Sequence, residues 1–454
     1  MKTRREFLKT SAALAVAGAA TRACTKPRPK SDRPNVLLIL DDEERYHLHL
    51  PRLTLPNRQR LRQSAVVFSH ACCTYPLCSP SRSTIFTGLW PHQAGIITNV
   101  DKYAENPSLD PAIPNLGSVF SRAGYETAYF GKWHLSRNGD AYGTPRAYGF
   151  KYPFVSNQEV GWRTDHNVSV RAAAWLKKNA GQTPWLMAYC PVNPHDILVP
   201  ELAGQYGGLE KYAAALPPNF AAEPAPGIKT LEQYGETRMI KDLAPKDRAG
   251  WLDYIRYYCR LIEDVDQQLG RVLDALEASG QWDNTIVVFT SDHGEMAGSH
   301  GLAYKGHTMY EENIRVPLWI SDPRHVNAPR AHDGLVSHLD LVPTLSALAG
   351  VPWPAPLTGL DLSPIIESGK DVARDRVFCE GSVRVVYGFR GIRTEPWKYW
   401  HYNTGEELLF NLKDDPLELK NLASDPGSAV TLAGLREQVR QWRRDTNDPM
   451  KEFM

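Results

Sequence analysis

Short apolar runs alternate with polar loops and amphipathic segments along most of the chain. The runs at 36–40 and 285–290 are typical of buried central strands, and those at 126–130 and 185–190 are weaker strand candidates. A long helix is predicted upstream of the strand at 285–290, and Gly280 is expected to end it. Its apolar residues recur at spacings of three and four: Tyr258, Ile262, Val265, Leu269, Val272 and Leu276. The pattern predicts an α/β fold with a large mixed, mostly parallel sheet sandwiched by helices.

Polar side chains follow each strand candidate directly at its C-terminal end. In open α/β sheets the ligand crevice lies outside the carboxyl ends of the strands. We therefore expect these side chains to meet at one edge of the sheet, where they would form a single site. They are Asp41, Asp42, Lys132, His134, His195, Asp292 and His293.

The pattern changes after Gly350, where a smaller C-terminal α+β domain is predicted. Residues 378–381 and 388–399 are typical of short antiparallel strands. A final helix is expected to bury one apolar face, formed by Leu432, Leu435, Val439 and Trp442. We place the domain boundary near residue 370, which gives a catalytic domain over 34–370 and a second domain over 371–454. Residues 200–250, rich in Pro, Gly and Ala, are expected to form insertion loops over the pocket.

The first 33 residues are interpreted as an export signal and a tether. Residues 3–9 read Thr-Arg-Arg-Glu-Phe-Leu-Lys and look like a twin-arginine signal, followed by an apolar run at 11–20 that is too short to span a bilayer. This implies the twin-arginine export machinery as a partner and a periplasmic or cell-surface location. Cys24 is either a lipid-attachment cysteine or an ordinary one, because Arg22 departs from the usual lipidation box. We expect no transmembrane span.

The net charge and the cysteine content indicate which partners and which disulfides to expect. The 454 residues carry a net charge of +1, so nothing indicates a nucleic-acid partner and any attraction for an anion must be local. There are seven cysteines; apart from Cys24 and Cys78 they are too few and too irregularly spaced for a disulfide framework. The adjacent Cys72 and Cys73 are predicted to be buried by packing. The oligomeric state is left open.

The segment 76–88, Pro-Leu-Cys-Ser-Pro-Ser-Arg-Ser-Thr-Ile-Phe-Thr-Gly, holds the most specific motif of the chain. Pro80 favours a helix start, and the free N–H groups of a helix N-terminus attract a tetrahedral anion. The Cys-x-Pro-x-Arg core from Cys78 to Arg82 resembles the signature of the type I sulfatases of the alkaline-phosphatase-like superfamily. That resemblance runs from about residue 34 to 445. It implies that a maturase oxidises Cys78 to formylglycine, the catalytic residue.

The resemblance also implies a divalent cation. Carried over position by position, its ligands are Asp41, Asp42, Cys78 as formylglycine, Asp292 and His293. Hard oxygen ligands indicate Ca²⁺, with Mg²⁺ as the second choice. The imidazole makes the site slightly softer than an all-oxygen one.

Three further motifs resemble catalytic elements of the same family. In the segment 124–135, Lys132 is expected to bind a sulfate oxygen and His134 to hydrogen-bond formylglycine as a base in its regeneration. His195, in Asn-Pro-His-Asp, would protonate the leaving oxygen or stabilise the transferring sulfonyl group. Lys305 matches the second sulfate-binding lysine, and Arg82 would reach a sulfonate or the modified residue.

These features predict an exported sulfuric ester hydrolase whose preferred substrates are carbohydrate sulfates. Alternatives are an arylsulfatase or choline-sulfatase acting on small esters, or a phosphonate or phosphodiester hydrolase of the same superfamily. A more distant alternative is a non-catalytic binder of sulfated glycans. Trp162, Trp397 and Trp400 either line a sugar-sized cleft or belong to the core.

Overall fold

The fold is taken from a computed structural model of the full chain. It describes residues 33–46, 50–100, 107–137, 144–156, 160–179, 181, 183–220, 230, 244–326, 328–372, 374–383 and 387–450. The export signal and residues 221–229 and 231–243 of the predicted insertion loops therefore lie outside the described residues. Within the described part of the chain, no helix is long and apolar enough to cross a membrane.

The predicted α/β architecture is confirmed by an eight-stranded sheet in the order β4-β3-β5-β1-β6-β7-β2-β8. Every neighbouring pair is parallel except the two that involve β7, which is antiparallel to β6 and β2. The strands are β1 (Asn35–Asp41), β2 (Ala65–Cys72), β3 (Glu126–Gly131), β4 (Tyr152–Val155), β5 (Trp185–Cys190), β6 (Thr285–Ser291), β7 (Leu318–Ser321) and β8 (Arg330–Ser337).

Helices cover both faces of this sheet. Among the described residues they are α1 (Pro56–Arg62), α2 (Cys78–Thr87), α3 (Leu116–Arg122), α4 (Gly161–Asn179), α5 (Ala203–Tyr206), α6 (Arg248–Ala278), α7 (Glu311–Ile314), α8 (Leu341–Ala349), α9 (Ser363–Ser368) and α10 (Ala429–Thr446). The long helix α6 is the one predicted from the spacing of its apolar residues, and Gly280 follows its end with a φ of 68°.

The central strand β1 shows why the core has two halves. Val36 and Leu38 pack into one apolar cluster, with side chains of α2, α3 and α8. Leu37 and Ile39 pack into a second cluster on the opposite face, with side chains of α1, α4 and α6. Successive side chains of a strand point to opposite faces, so a continuous apolar run is needed when both faces are covered.

The C-terminal region forms a separate four-stranded antiparallel sheet in the order β12-β11-β10-β9, with α10 packed against it. Its strands are β9 (Arg376–Val383), β10 (Tyr387–Thr394), β11 (Trp397–Tyr402) and β12 (Glu407–Asn411). The segment predicted over 388–399 is thus two strands. Buried ion pairs join this sheet to helix α7, including Arg393 with Glu311 at 2.9 Å.

The burial of the cysteines and of three tryptophans tests predictions made from the sequence. The six cysteines from Cys72 to Cys379 that the structure describes are all free and buried, as expected for Cys72 and Cys73. Trp400 is fully buried and belongs to the core, whereas Trp162 is exposed. Trp397 is half-buried and packs against the apolar cluster under α10.

Candidate active site

The site lies at the carboxyl edge of the large sheet. Strands β3, β5, β1 and β6 are consecutive in the sheet. Their C-terminal ends deliver Lys132, His195, Asp42 and Asp292, which lie far apart in sequence. The predicted convergence of polar side chains on one edge follows from this strand order, because parallel strands present their carboxyl ends on the same side.

Helix α2 places Cys78 at the middle of that edge. Cys78 is the first residue of the helix, preceded by Leu77 in an extended conformation, and it is fully buried. Two serines of the first turn fix the helix against neighbouring segments: Ser79 Oγ donates to the His134 carbonyl at 2.5 Å, and Ser81 Oγ donates to the Asp292 carbonyl at 2.5 Å. The start of α2 is therefore tied to the loops after β3 and β6.

Four buried groups converge closely enough to hold one metal ion. Ligand atoms of Asp42, Cys78, Asp292 and His293 all lie within 4.8 Å of one another. The Cys78 sulfur, which stands where an oxygen of formylglycine would be, is 3.3 Å from His293 Nε2 and 3.7 Å from Asp42 Oδ1. Two carboxylates and an imidazole form a donor set that fits a divalent cation.

The imidazole of His293 is oriented as a metal ligand should be. Its Nδ1 is 2.9 Å from the Gly294 carbonyl, so Nδ1 carries the proton and donates it there. In the neutral ring Nε2 then carries the lone pair, and it lies 3.3 Å from the Cys78 sulfur and 3.4 Å from Asp292 Oδ1. A backbone carbonyl on the far nitrogen is the usual way in which a ligating histidine is oriented.

Asp41, the fifth predicted ligand, is held apart from these four groups. Its Oδ2 accepts from Arg58 Nη2 at 2.6 Å, and Arg58 Nη1 also donates to Glu44 at 2.5 Å. Asp41 Oδ1 is buried and has no hydrogen-bond partner among the described residues. An unsatisfied buried carboxylate oxygen beside a cation-binding cluster is consistent with a ligand role, which stays a prediction.

Arg82 and Lys132 compensate the carboxylates. Arg82 Nε lies 2.8 Å from a carboxylate oxygen of Asp292, and its Nη2 lies 2.8 Å from a carboxylate oxygen of Asp42. Its Nη1 donates to the Lys132 carbonyl at 2.7 Å. Lys132 Nζ is 2.6 Å from Asp42 and 3.6 Å from the Cys78 sulfur. Lys132 therefore faces the reacting position directly, whereas Arg82 binds the two carboxylates that flank it.

Lys305 approaches the same position from the loop after β6. Its ammonium group lies 2.5 Å from Glu43 Oε2, and both side chains are buried. Burial works against the charged form, but Cys78 and Glu43 raise the pKa of Lys305 well above its ordinary value. The lysine is therefore a fixed positive charge beside Cys78.

His195 and His134, the two histidines with predicted catalytic roles, lie in different local environments. His195 is half-buried, and a ring nitrogen lies within 4.8 Å of carboxylate oxygens of Asp42 and Glu43. Burial first, then Lys132 and Lys305, hold the pKa of His195 well below its ordinary value, which favours a neutral ring. His134 has a left-handed backbone, with a φ of 56°, and its carbonyl anchors Ser79.

The local electrostatics favour an anion at position 78. Burial and Asp42 raise the pKa of the Cys78 thiol, but Lys132, Lys305 and His293 outweigh them and hold that pKa well below its ordinary value. The ammonium groups of Lys132 and Lys305 would also stabilise the negative charge of an anion bound beside Cys78. This is the local attraction that the net charge of the chain does not reveal.

A family profile described as Sulfatase matches residues 34–351 of this chain. The chain belongs to the sulfatase family. A second profile, described as N-sulphoglucosamine sulphohydrolase, C-terminal, matches residues 298–445. Hydrolysis of sulfate esters is therefore the activity of this sulfatase.

Relatives resemble the sulfatase over nearly its whole length. A Δ4,5-hexuronate-2-O-sulfatase of Bacteroides thetaiotaomicron is 31% identical, over 97% of this chain and 93% of the relative. A solved 2-O GAG sulfatase is 29% identical, with a TM-score of 0.76 over 92% of this chain and 93% of its own. A phosphonate monoester hydrolase of Agrobacterium radiobacter is 25% identical, with a TM-score of 0.74 over 91% and 96% of the two chains.

Sequence reasoning missed the buried partners of the predicted residues. Glu43 and Arg58 were not singled out, although both bond predicted site residues. The signal was present: residues 41–45 are five consecutive charged side chains directly after a buried strand. Buried charges require partners, so such a run points to a compensating network.

Proposed function

We propose that this sulfatase hydrolyses sulfate monoesters of carbohydrates, with glycosaminoglycan-type saccharides as the substrate class, through formylglycine formed from Cys78. The observation that carries the proposal is the buried convergence of Asp42, Asp292 and His293 on Cys78, with Lys132 beside it. The substrate class is supported by the relative from Bacteroides thetaiotaomicron, a Δ4,5-hexuronate-2-O-sulfatase, which is similar over almost the whole chain.

The carboxylates and the imidazole would hold a divalent cation, Ca²⁺ by first choice and Mg²⁺ by second. When bound, the cation supplies positive charge beside the nucleophile, and hydrated formylglycine supplies one hydroxyl to attack sulfur and another to expel the sulfate. Asp42, Asp292 and His293 are the ligands that the geometry favours. Asp41 stays a predicted ligand, and its buried Oδ1 has no hydrogen-bond partner among the described residues.

Positive side chains of the chain then bind the ester. Lys132 and Lys305 are assigned to the nonbridging sulfonyl oxygens, because both ammonium groups flank position 78. Arg82 is assigned a positioning role, since its guanidinium is already bonded to Asp42, Asp292 and a backbone carbonyl. This differs from the expectation that Arg82 reaches the sulfonate itself.

His195 is assigned to the leaving group. The bond between sulfur and the ester oxygen breaks, and that oxygen needs a proton when the alcohol is a sugar. The resting ring is neutral because burial and two lysines disfavour its charged form. A bound sulfate ester would add negative charge and offset the positive charge of the two lysines. The pKa of His195 would then rise, so that the ring can carry the proton that the leaving oxygen needs. His134 is assigned to the hydroxyl of hydrated formylglycine during regeneration of the aldehyde.

Maturation and export complete the proposal. A cytoplasmic maturase would convert Cys78, and the twin-arginine machinery would then carry the folded enzyme to the periplasm or cell surface. The sequence motif at residues 3–9 supports this order, because that pathway exports folded proteins. Cys24 stays a candidate for lipid attachment.

The decisive test compares substrates on matured enzyme loaded with Ca²⁺. We expect turnover of an unsaturated hexuronate-2-O-sulfate disaccharide and of 4-nitrophenyl sulfate, and little turnover of a phosphonate monoester. The Cys78→Ala variant, the matched control, should lose both activities. Preference for the phosphonate would favour the activity of the structural neighbour from Agrobacterium radiobacter. Turnover of 4-nitrophenyl sulfate without any sulfated saccharide would support a small-ester sulfatase instead.

A further inference from the structure

Trp162 is the most exposed aromatic side chain near the site. The structure describes all twelve tryptophans, and Trp162, with 43% of its surface exposed, is the one that belongs to the exposed class. It is the second residue of α4. Single exposed aromatics are common on protein surfaces, so exposure alone assigns no role. What distinguishes Trp162 is that its backbone N–H is bonded to Asp196, the residue that follows His195.

The carboxylate of Asp196 anchors the start of α4. Its Oδ1 accepts from the Gly161 N–H and its Oδ2 from the Trp162 N–H, both at 2.8 Å. Tyr206 donates its hydroxyl to the same Oδ2 at 2.6 Å. A side chain distant in sequence thereby satisfies free N–H groups of the first helical turn.

The ring of Trp162 is also supported from one side. It meets the ring of Tyr206 edge to face, with centroids 4.8 Å apart and planes at 65°. No side chain fits at Gly161, where an added Cβ would lie 2.5 Å from Asn193 Cγ. The start of α4 therefore packs directly against the loop after β5, and the indole has a fixed position with an open face.

That loop carries His195. Asp196, which binds the Trp162 backbone, is the next residue, and His195 has a ring nitrogen within 4.8 Å of oxygens of Asp42 and Glu43. The backbone of Trp162 is thus linked to the histidine assigned to the leaving group by one hydrogen-bonded residue.

We propose that Trp162 is a specificity-determining residue that stacks against the second sugar ring of a sulfated disaccharide, on the leaving-group side. The flat apolar face of an indole complements the C–H face of a pyranose, and a rigid aromatic loses little entropy on binding. A small aryl sulfate has a single ring, on its leaving oxygen, and no second sugar to reach this platform. The inference rests on the proposed carbohydrate activity.

The test compares kinetics of Trp162→Ala, Trp162→Phe and the control Tyr152→Ala. Tyr152 lies on β4 with a similar exposed fraction, 44%, and packs against Trp175 instead. For a sulfated disaccharide we expect KM to rise about tenfold in Trp162→Ala with kcat nearly unchanged, which corresponds to about 1.4 kcal/mol of uniform binding. Trp162→Phe should recover most of the loss. With 4-nitrophenyl sulfate, KM should stay within about twofold for all three variants.

Binding to the inactive Cys78→Ala protein gives a second measurement. Calorimetric titration with the disaccharide should show the same weakening when Trp162→Ala is added, and none with Tyr152→Ala. Unchanged disaccharide KM and affinity in Trp162→Ala, or equal losses on both substrates, would overturn the role of Trp162 alone. If the unsubstituted enzyme cleaves 4-nitrophenyl sulfate but no sulfated saccharide, the carbohydrate function fails and this inference fails with it.

Discussion

Replacement of Arg58 by Met tests the charge network beneath the metal site. The Arg58 side chain is 1% exposed and compensates three buried carboxylates: Asp41 at 2.6 Å, Glu44 at 2.5 Å and Asp266 at 3.9 Å. Its guanidinium also lies 4.7 Å from the centre of the Phe289 ring. Methionine keeps much of the volume and removes the charge, so the carboxylates would lose their shared partner.

The expected loss follows from burial. Removing one partner of a buried ion pair costs about 3–5 kcal/mol, because the remaining charge is left uncompensated. Arg60, on the same helix, is the matched control: it pairs with Asp274 and Glu277 at 2.8 Å each, but it is 31% exposed. Exposed pairs contribute about 0–1 kcal/mol. Arg58→Met should therefore destabilise the enzyme by at least about 2 kcal/mol more than Arg60→Met.

The assay is urea unfolding of both variants, followed by tryptophan fluorescence at pH 8 with and without Ca²⁺. We expect the midpoint to fall for Arg58→Met and to move little for Arg60→Met, with similar slopes. Ca²⁺ should also raise the midpoint less in Arg58→Met, because Asp41 is no longer held in place. Equal midpoints for the two variants would refute the reasoning that Arg58 compensates the buried carboxylates.

Three further predictions concern the cation, the leaving group and pH. Asp292→Ala should abolish hydrolysis and remove the rise in melting temperature that Ca²⁺ produces; retained activity with bound cation would contradict the ligand assignment. His195→Ala should slow a sugar sulfate by about a hundredfold or more and 4-nitrophenyl sulfate by much less, so equal losses would argue against a general acid. Glu380 raises the pKa of His92 despite burial, so its stabilisation is present below about pH 6.5 and is lost as pH rises through the raised pKa. Urea unfolding of His92→Gln should show a larger loss at about pH 5.5 than at pH 9, and equal losses would contradict the assignment.

The central strands were predictable because consecutive apolar residues indicate a strand that is buried on both faces. The run at 36–40 lies within β1 and the run at 285–290 within β6. The strand β8 was missed, since its first residues alternate between exposed and half-buried positions and only its end is buried. The first five residues of this edge strand, 330–334, include a single apolar side chain, Ala331, so they carry little apolar periodicity.

Helix α4 was missed for a different reason. Its first turn has no acidic residue and the side chain that satisfies its N–H groups is Asp196, which lies 35 residues after Gly161. A cap supplied by tertiary structure leaves no local start signal. The segment at 388–399 became two strands because Glu395 and Pro396 turn between them, and a proline lacks the N–H that a continuous ladder needs.

Within the site, the motifs predicted which residues lie close together, but not which charged side chains form ion pairs with each other. The proximity of Asp42, Cys78, Asp292 and His293 follows from motif and strand order. The pairing of Lys305 with Glu43 joins segments 262 residues apart, so no local pattern could predict it. Such pairings depend on which side chains the fold buries together.

The chemical state of Cys78 tests the central claim most directly. Trypsin should release residues 63–82, which carry Cys72, Cys73 and Cys78. The measurement is the mass of this peptide after reduction and alkylation, from enzyme that hydrolyses 4-nitrophenyl sulfate. We predict two alkylated thiols and, at position 78, an aldehyde in place of the CH₂SH group. Three alkylated thiols in fully active enzyme would contradict the formylglycine mechanism.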